Sequence, residues 1–215
     1  MPVLLELFAG TGSIGRAFEA RGWHVISVDI DPRTNPDLCM DIRDLNLSHL
    51  SHRPSLIWAS PVCQHYSCAR TSARTPRDFV FADSLVQAVL DLAETLDCPA
   101  LMENPHSGLL KSRGLVQGIP YQIVDYCMYH DSRSAHTARK RTAIWCLNGV
   151  AWQPQRSLCE KDCGHCTGKR HNETAQRGPS IHGGRRHTLA ELYAMPPPLL
   201  CEELADWATL NVFGE

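Results

Sequence analysis

Val3-Leu4-Leu5-Glu6-Leu7-Phe8-Ala9-Gly10-Thr11-Gly12-Ser13-Ile14-Gly15 sets the fold class of this chain. An apolar β-run breaks into G-x-G-x-x-G, and the pattern behind it predicts a helix from Ser13, a candidate cap, to about Arg21, where Gly22 ends it. Glycines at these positions let the backbone approach a ligand closely, and the helix amino end offers free N–H groups. A dinucleotide and S-adenosylmethionine both suit such a turn.

Working outward, His24 to Asp29 reads as a second strand, ending in Asp29-Ile30-Asp31. That places an acid roughly twenty residues after the glycine turn, where ribose hydroxyls are bound. Cys39-Met40-Asp41-Ile42 reads as a third, shorter strand end with Asp41 as the next acid. Ser55 to Ala59 is a buried strand that delivers Ser60-Pro61-Val62-Cys63-Gln64-His65-Tyr66-Ser67 at its carboxyl end, where open α/β sheets place their chemistry. A cysteine there is also explained by packing alone, so its neighbours matter. Arg70, Arg74 and Arg77 lie in a polar, basic loop, and Phe79 to Leu96 carries Phe81, Leu85, Val89, Leu92 and Leu96 at helical spacing. Ala100-Leu101-Met102 is another strand, ending at Glu103-Asn104-Pro105. Tyr121 to Tyr129 reads as a strand or hairpin arm, and Thr142 to Cys146 is the last clear strand, preceded by Arg139-Lys140-Arg141. This alternation predicts a Rossmann-like α/β fold, a mostly parallel sheet with helices on both faces.

A chain of 215 residues has room for one good-sized core with a small appendage. No apolar run approaches the ~20 residues of a membrane span, and the first residues lack a basic region and cleavage site. An intracellular location is therefore expected. Ten cysteines in a reducing compartment point to catalysis or metal binding in preference to disulfides. The net charge of -2 gives no global attraction to nucleic acid, so such a partner must be met by local basic patches.

The ordered series of glycine turn, Asp29, Asp41, Pro61-x-Cys63, Glu103-Asn104 and a basic run before a strand resembles the cytosine-C5 DNA methyltransferase family, in a small phage or viral form. The matching stretches are Leu5 to Gly12, Ser60 to Gln64, Met102 to Pro105 and Arg139 to Trp145, in order over residues 3–146. The resemblance implies that Cys63 is the nucleophile, adding to carbon 6 of cytosine so that carbon 5 takes a methyl group from S-adenosylmethionine. Glu103 would act at N3 of the base, and Arg141 would steady the cytosine or the thiolate. Phe8, Gly10, Gly12, Ile30 and Pro61 would hold the cofactor, Asp29 its ribose, and Asp41 with Ile42 its adenine. Arg70, Arg74, Arg77 and Arg139 would contact nucleic acid, with the target base flipped out of its stack. Two departures stand out: Val62 where the family has Pro, and Ala143 at the place of the motif's second arginine.

Residues 149–187 lack periodicity and contain Cys159, Cys163, Cys166 and His171, whose types and close spacing suit a structural zinc ion. This divides the chain into a catalytic domain (1–148), a small zinc-binding, nucleic-acid-contacting segment (149–187) and a C-terminal helical segment (188–215). DNA is the expected partner. RNA methylation by the same residues, a catalytically weakened nucleic-acid-binding homologue, and a nicotinamide-dependent oxidoreductase are the rival readings. The last leaves Cys63 and Glu103 without a role.

Overall fold

A computed structural model describes residues 1–68, 70, 73–134, 137–174, 180–182 and 185–212. Seven strands form the main sheet: β1 (Val3–Leu7), β2 (His24–Asp29), β3 (Leu38–Cys39), β4 (Leu56–Ala59), β5 (Ala100–Pro105), β6 (Tyr121–Asp125) and β7 (Arg141–Leu147). Their order is β3-β2-β1-β4-β5-β7-β6. The first five run parallel, and β7 is antiparallel to both β5 and β6. β1 and β4 are buried along their whole length, as continuous apolar runs in a sheet covered on both faces should be.

Successive strand residues face opposite sides, and the two cores divide accordingly. Leu5, Ile57, Met102 and Trp145 pack with Leu85, Val89, Leu92 and Leu96 of α2 (Phe79–Leu96). Their chain neighbours Leu4, Trp58, Leu101 and Ile144 pack with Ile14 and Phe18 of α1 (Ser13–Glu19) on the other face. Leu200, Leu204 and Ala208 of the last helix, which follows the short α3 (Leu189–Ala194), complete that second core. This last helix, α4 (Pro198–Asn211), is also tied to α1 by Arg21, which donates to Asp206 at 2.5 and 2.8 Å. Trp23 Nε1 donates to Thr209 Oγ1 at 2.9 Å. The C-terminal helix is thus an integral layer of the fold.

Two local expectations are adjusted. Gly12, at φ 63°, takes the N-cap position of α1 without a side-chain bond, and Ser13 becomes the first helical residue. The third strand ends at Cys39, because Asp41 caps a 3-10 turn over Ile42–Asp44 by accepting the Arg43 N–H at 2.9 Å.

Candidate active site

The sheet order reverses between β1 and β4, so the loops after these two strands part and leave a crevice at their carboxyl ends. A cavity of about 470 Å³ opens there, within the usual size of a small-ligand site. The turn after β1 forms one wall, with Phe8 and Gly10 in the lining. Phe8, Gly10 and Gly12 all have left-handed backbone, at φ 58°, 50° and 63°. Phe8 is the costly one of the three, since only glycine enters that region freely. Gly10 N–H donates to Asp29 Oδ2 at 2.8 Å, and Asp31 N–H donates to Oδ1 of the same carboxylate at 2.9 Å. Asp29 therefore holds the glycine turn against the end of β2.

The loop after β4 supplies the second wall, with Pro61, Val62 and Cys63. Asn104, fully buried at the end of β5, donates to the Pro61 carbonyl at 2.9 Å and so fixes this loop to the neighbouring strand. The Tyr66 N–H donates to the Cys63 carbonyl at 3.0 Å, closing a turn under the cysteine. Farther back, the Tyr66 hydroxyl donates to Asp83 at 2.8 Å, and Arg113 braces the same carboxylate. Cys63 is half-buried and lines the cavity. Burial pushes its thiol up from the ordinary value; the Lys140 ammonium pulls it back down, and Glu103 adds to the rise.

Glu103 closes the far side. It is buried, and its Oε1 accepts both Lys140 Nζ at 2.9 Å and the Tyr126 hydroxyl at 3.2 Å. Lys140 also sits 4.9 Å over the Tyr126 ring. Cys63, Glu103, Lys140 and Tyr126 all line the one cavity. Sequence reasoning missed Lys140, and the reason is a matter of register. Lys140 precedes β7 on the face of the sheet shared with Ile144, Trp58 and Glu103. Arg141 and Ala143 lie on the other face. Arg141 does not join Cys63 and Glu103: its guanidinium makes paired bonds to Asp125, at 3.0 and 2.6 Å. For the same reason the departure at Ala143 falls on a buried core position opposite Asn104.

Glu6 is a second buried acid that the sequence did not flag. It lines the cavity floor, where burial raises its carboxyl to about 7, against the lowering effect of the Gly15 and Ile14 amides. A Cβ on Gly15 would stand 2.5 Å from Glu6 Oε2, so the helix approaches this carboxylate closely because residue 15 has no side chain. The cavity also receives Ala194 and Pro196 from the C-terminal segment.

The remaining expected residues are placed as follows. Gly12 caps α1 beside the cavity. Ile30 is exposed at the end of β2, and Ile42 is buried in the core of the α2 face. Asp41 is paired with Arg43 at 2.6 Å, and neither it nor Ile30 or Ile42 is in the cavity lining. In the loop after Cys63, Arg70 donates to the carbonyls of Thr75 and Pro76, Arg77 donates to the His65 carbonyl, and Arg74 is exposed. Arg139 lies 3.9 Å from the Asp125 carboxylate. Ala69, Thr71 and Ser72 of that loop lie outside the described residues.

The cysteine cluster gathers beyond the end of β6, where Cys127 lies in the 3-10 turn Tyr126–Met128. Sγ atoms of Cys127, Cys159 and Cys163 and a ring nitrogen of His171 all lie within 4.8 Å of one another. Cys166 is not one of the four; its Sγ is 3.7 Å from that of Cys163. A Cys/His group able to hold a metal is therefore present, with Cys127 where the sequence suggested Cys166. Among the described residues no helix is long and apolar enough to cross a membrane.

A seven-stranded, mostly parallel sheet carrying a glycine turn at its switch point defines a Rossmann-like methyltransferase fold. Within that class, the chain is 27% identical over 94% of its length to a protein of Frog virus 3 (isolate Goorha) named "Probable DNA (cytosine-5)-methyltransferase", and covers 98% of it. The resemblance of the sequence motifs to cytosine-C5 methyltransferases thus extends to nearly the whole chain. No family model matches. Among solved structures, the fold is similar to an Escherichia coli prophage protein described as a "putative DNA modification methyltransferase", at TM-score 0.50 and 16% identity over 68% of this chain and 46% of that one. It is also similar to a Spodoptera frugiperda DNMT2 mutant, at TM-score 0.48 and 18% identity over 73% of this chain and 53% of that one. The chain spans about half the length of these two structures.

Proposed function

We propose that this protein transfers a methyl group to carbon 5 of cytosine in DNA. S-Adenosylmethionine is the donor, and the reaction runs through a covalent bond to Cys63. One observation carries the reading: Cys63 and Glu103, delivered by the carboxyl ends of adjacent strands, line the same cavity as the glycine turn. The left-handed turn at Phe8–Gly12 and the carboxyl of Glu6 form a cradle whose size and acidity suit a cationic nucleoside ligand. When bound there, the cofactor supplies an electrophilic methyl group on a sulfonium.

Carbon 5 of cytosine is a weak nucleophile until the ring is made electron-rich. Cys63 Sγ, as thiolate, adds to carbon 6, and the electrons of the 5,6 double bond then become available at carbon 5. Glu103, held through Oε1 by Lys140 and Tyr126, faces N3 with its other oxygen, and a proton carried between that oxygen and N3 draws charge away from the ring. After methylation, loss of the carbon 5 proton to water re-forms the double bond and expels the Cys63 thiolate. Burial opposes the thiolate and Lys140 favours it. Cofactor binding in the same cavity would add positive charge near Cys63 and lower the thiol further.

The target base reaches Cys63 only when flipped from its stack, at a cost of about a few kcal/mol. Exposed Arg74 is the arginine of the following loop best placed to meet phosphate. Arg70 and Arg77 must first give up their bonds to the loop. A zinc ion in the Cys/His cluster is part of the same proposal, supported by the ligand types. The test is transfer of label from tritiated S-adenosylmethionine to cytosine-containing DNA and RNA. Label at carbon 5 in DNA, abolished by Cys63→Ala, is expected. Label in RNA alone would reassign the substrate, and no label in either would remove the enzymatic reading.

A further inference from the structure

Cys127 lies 32 residues before the run that carries Cys159, Cys163, Cys166 and His171, in the 3-10 turn Tyr126–Met128 between β6 and β7. Resting on the zinc proposed above, we infer that the metal is held by Cys127, Cys159, Cys163 and His171. The ion is then a clasp between the catalytic sheet and the tail, and not a knuckle closed within the tail. Bond lengths of about 2.3 Å to sulfur and 2.0–2.1 Å to nitrogen put a tetrahedral S···N pair about 3.5 Å apart. Cys127 Sγ lies 3.5 Å from His171 Nε2, and Cys159 Sγ lies 3.2 Å from the same nitrogen. Cys127, Cys159 and His171 are buried, whereas Cys163 is half-buried. A buried Cys3His set is the chemistry of a structural zinc site.

The clasp touches the residues that hold Glu103. Cys127 follows Tyr126, whose hydroxyl donates to Glu103 Oε1. Asp125, on the other side of Tyr126, accepts the Cys159 N–H at 3.0 Å through the oxygen that also binds Arg141. Seating the ion fixes the turn Asp125–Cys127 from both the sheet and the tail, and with it the position of the Tyr126 hydroxyl. Tyr126 is by this reasoning a positioning residue whose placement depends on the metal.

The test is zinc content and affinity of the full chain, by metal analysis and chelator competition, in wild type, Cys127→Ser and Cys166→Ser. Wild type and Cys166→Ser are expected to hold one zinc with affinities within about threefold of each other. Cys127→Ser is expected to bind at least about 100-fold more weakly, in keeping with loss of a ligand. Circular dichroism at saturating zinc separates ligand loss from misfolding, and the cobalt(II) form gives a second reading through its thiolate charge-transfer band, reduced by about a third in Cys127→Ser. Zinc lost from Cys166→Ser, or retained by Cys127→Ser, would overturn the assignment while leaving a zinc protein. Wild type free of zinc would remove the metal altogether. Amide exchange across 121–129 should rise on chelation; unchanged exchange there would overturn the coupling to Tyr126.

Discussion

The buried carboxyl of Glu6 offers a quantitative test of the cavity. Burial behind the glycine turn raises it to about 7 from an ordinary 4.5, the amides of Gly15 and Ile14 acting against that rise. The difference is about 2.5 units, and at 1.36 kcal/mol per unit it corresponds to roughly 3 kcal/mol. The folded value lies above the unfolded one, so between pH 4.5 and 7 the folded chain keeps a proton that the unfolded chain releases. Stability from this group is fully present below about pH 4.5, falls as pH rises toward 7, and levels off above it. Glu6→Gln lacks the titration. Its unfolding free energy relative to wild type should therefore rise by up to roughly 3 kcal/mol between pH 4.5 and 8. Urea unfolding of both proteins at half-unit steps of pH measures this directly. A cation in the cavity should also draw a proton off Glu6, so calorimetry of S-adenosylmethionine binding near pH 6.5 should show proton release that Glu6→Gln abolishes. Parallel stability curves for the two proteins across that range would refute the burial argument.

Other outcomes follow from single contacts. Lys140→Met removes the ammonium that lowers the Cys63 thiol, so the pH midpoint of Cys63 alkylation should move up; an unmoved midpoint would take Lys140 away from the cysteine. Gly15→Ala sets a methyl group 2.5 Å from Glu6 Oε2 and 3.1 Å from Val25, and should destabilise the fold by about 1–3 kcal/mol in denaturant unfolding. Asp125→Asn leaves Arg141 with a weaker partner and should cost about 1–3 kcal/mol, with Arg141→Ala in the same background adding little.

Much of the fold was legible because continuous apolar runs and turn residues mark buried parallel strands. Val3–Leu7, His24–Asp29 and Phe79–Leu96 fall where periodicity put them. Cys63, Glu103 and the glycine turn were found because each ends a strand, and strand order then brings those ends together. Three features escaped for physical reasons. Lys140 and Arg141 differ by one residue, and only the pairing of β7 with β5 decides which of them faces Glu103. Cys127 is far in sequence from the other members of the Cys/His group, so spacing could not reveal it. Glu6 reads as one polar residue in an apolar strand, and its burial against α1 is visible only once Gly15 is packed over it.

The covalent step is the claim on which the function rests, and DNA carrying 5-fluorocytosine tests it most directly. Fluorine at carbon 5 cannot leave as a proton does, so with S-adenosylmethionine present the Cys63 adduct should survive denaturation. It should be seen by mass spectrometry as a methylated nucleotide on the peptide containing Cys63, and be absent in Cys63→Ala. A stable adduct on a different cysteine, or no adduct while methyl transfer to normal cytosine proceeds, would contradict the mechanism.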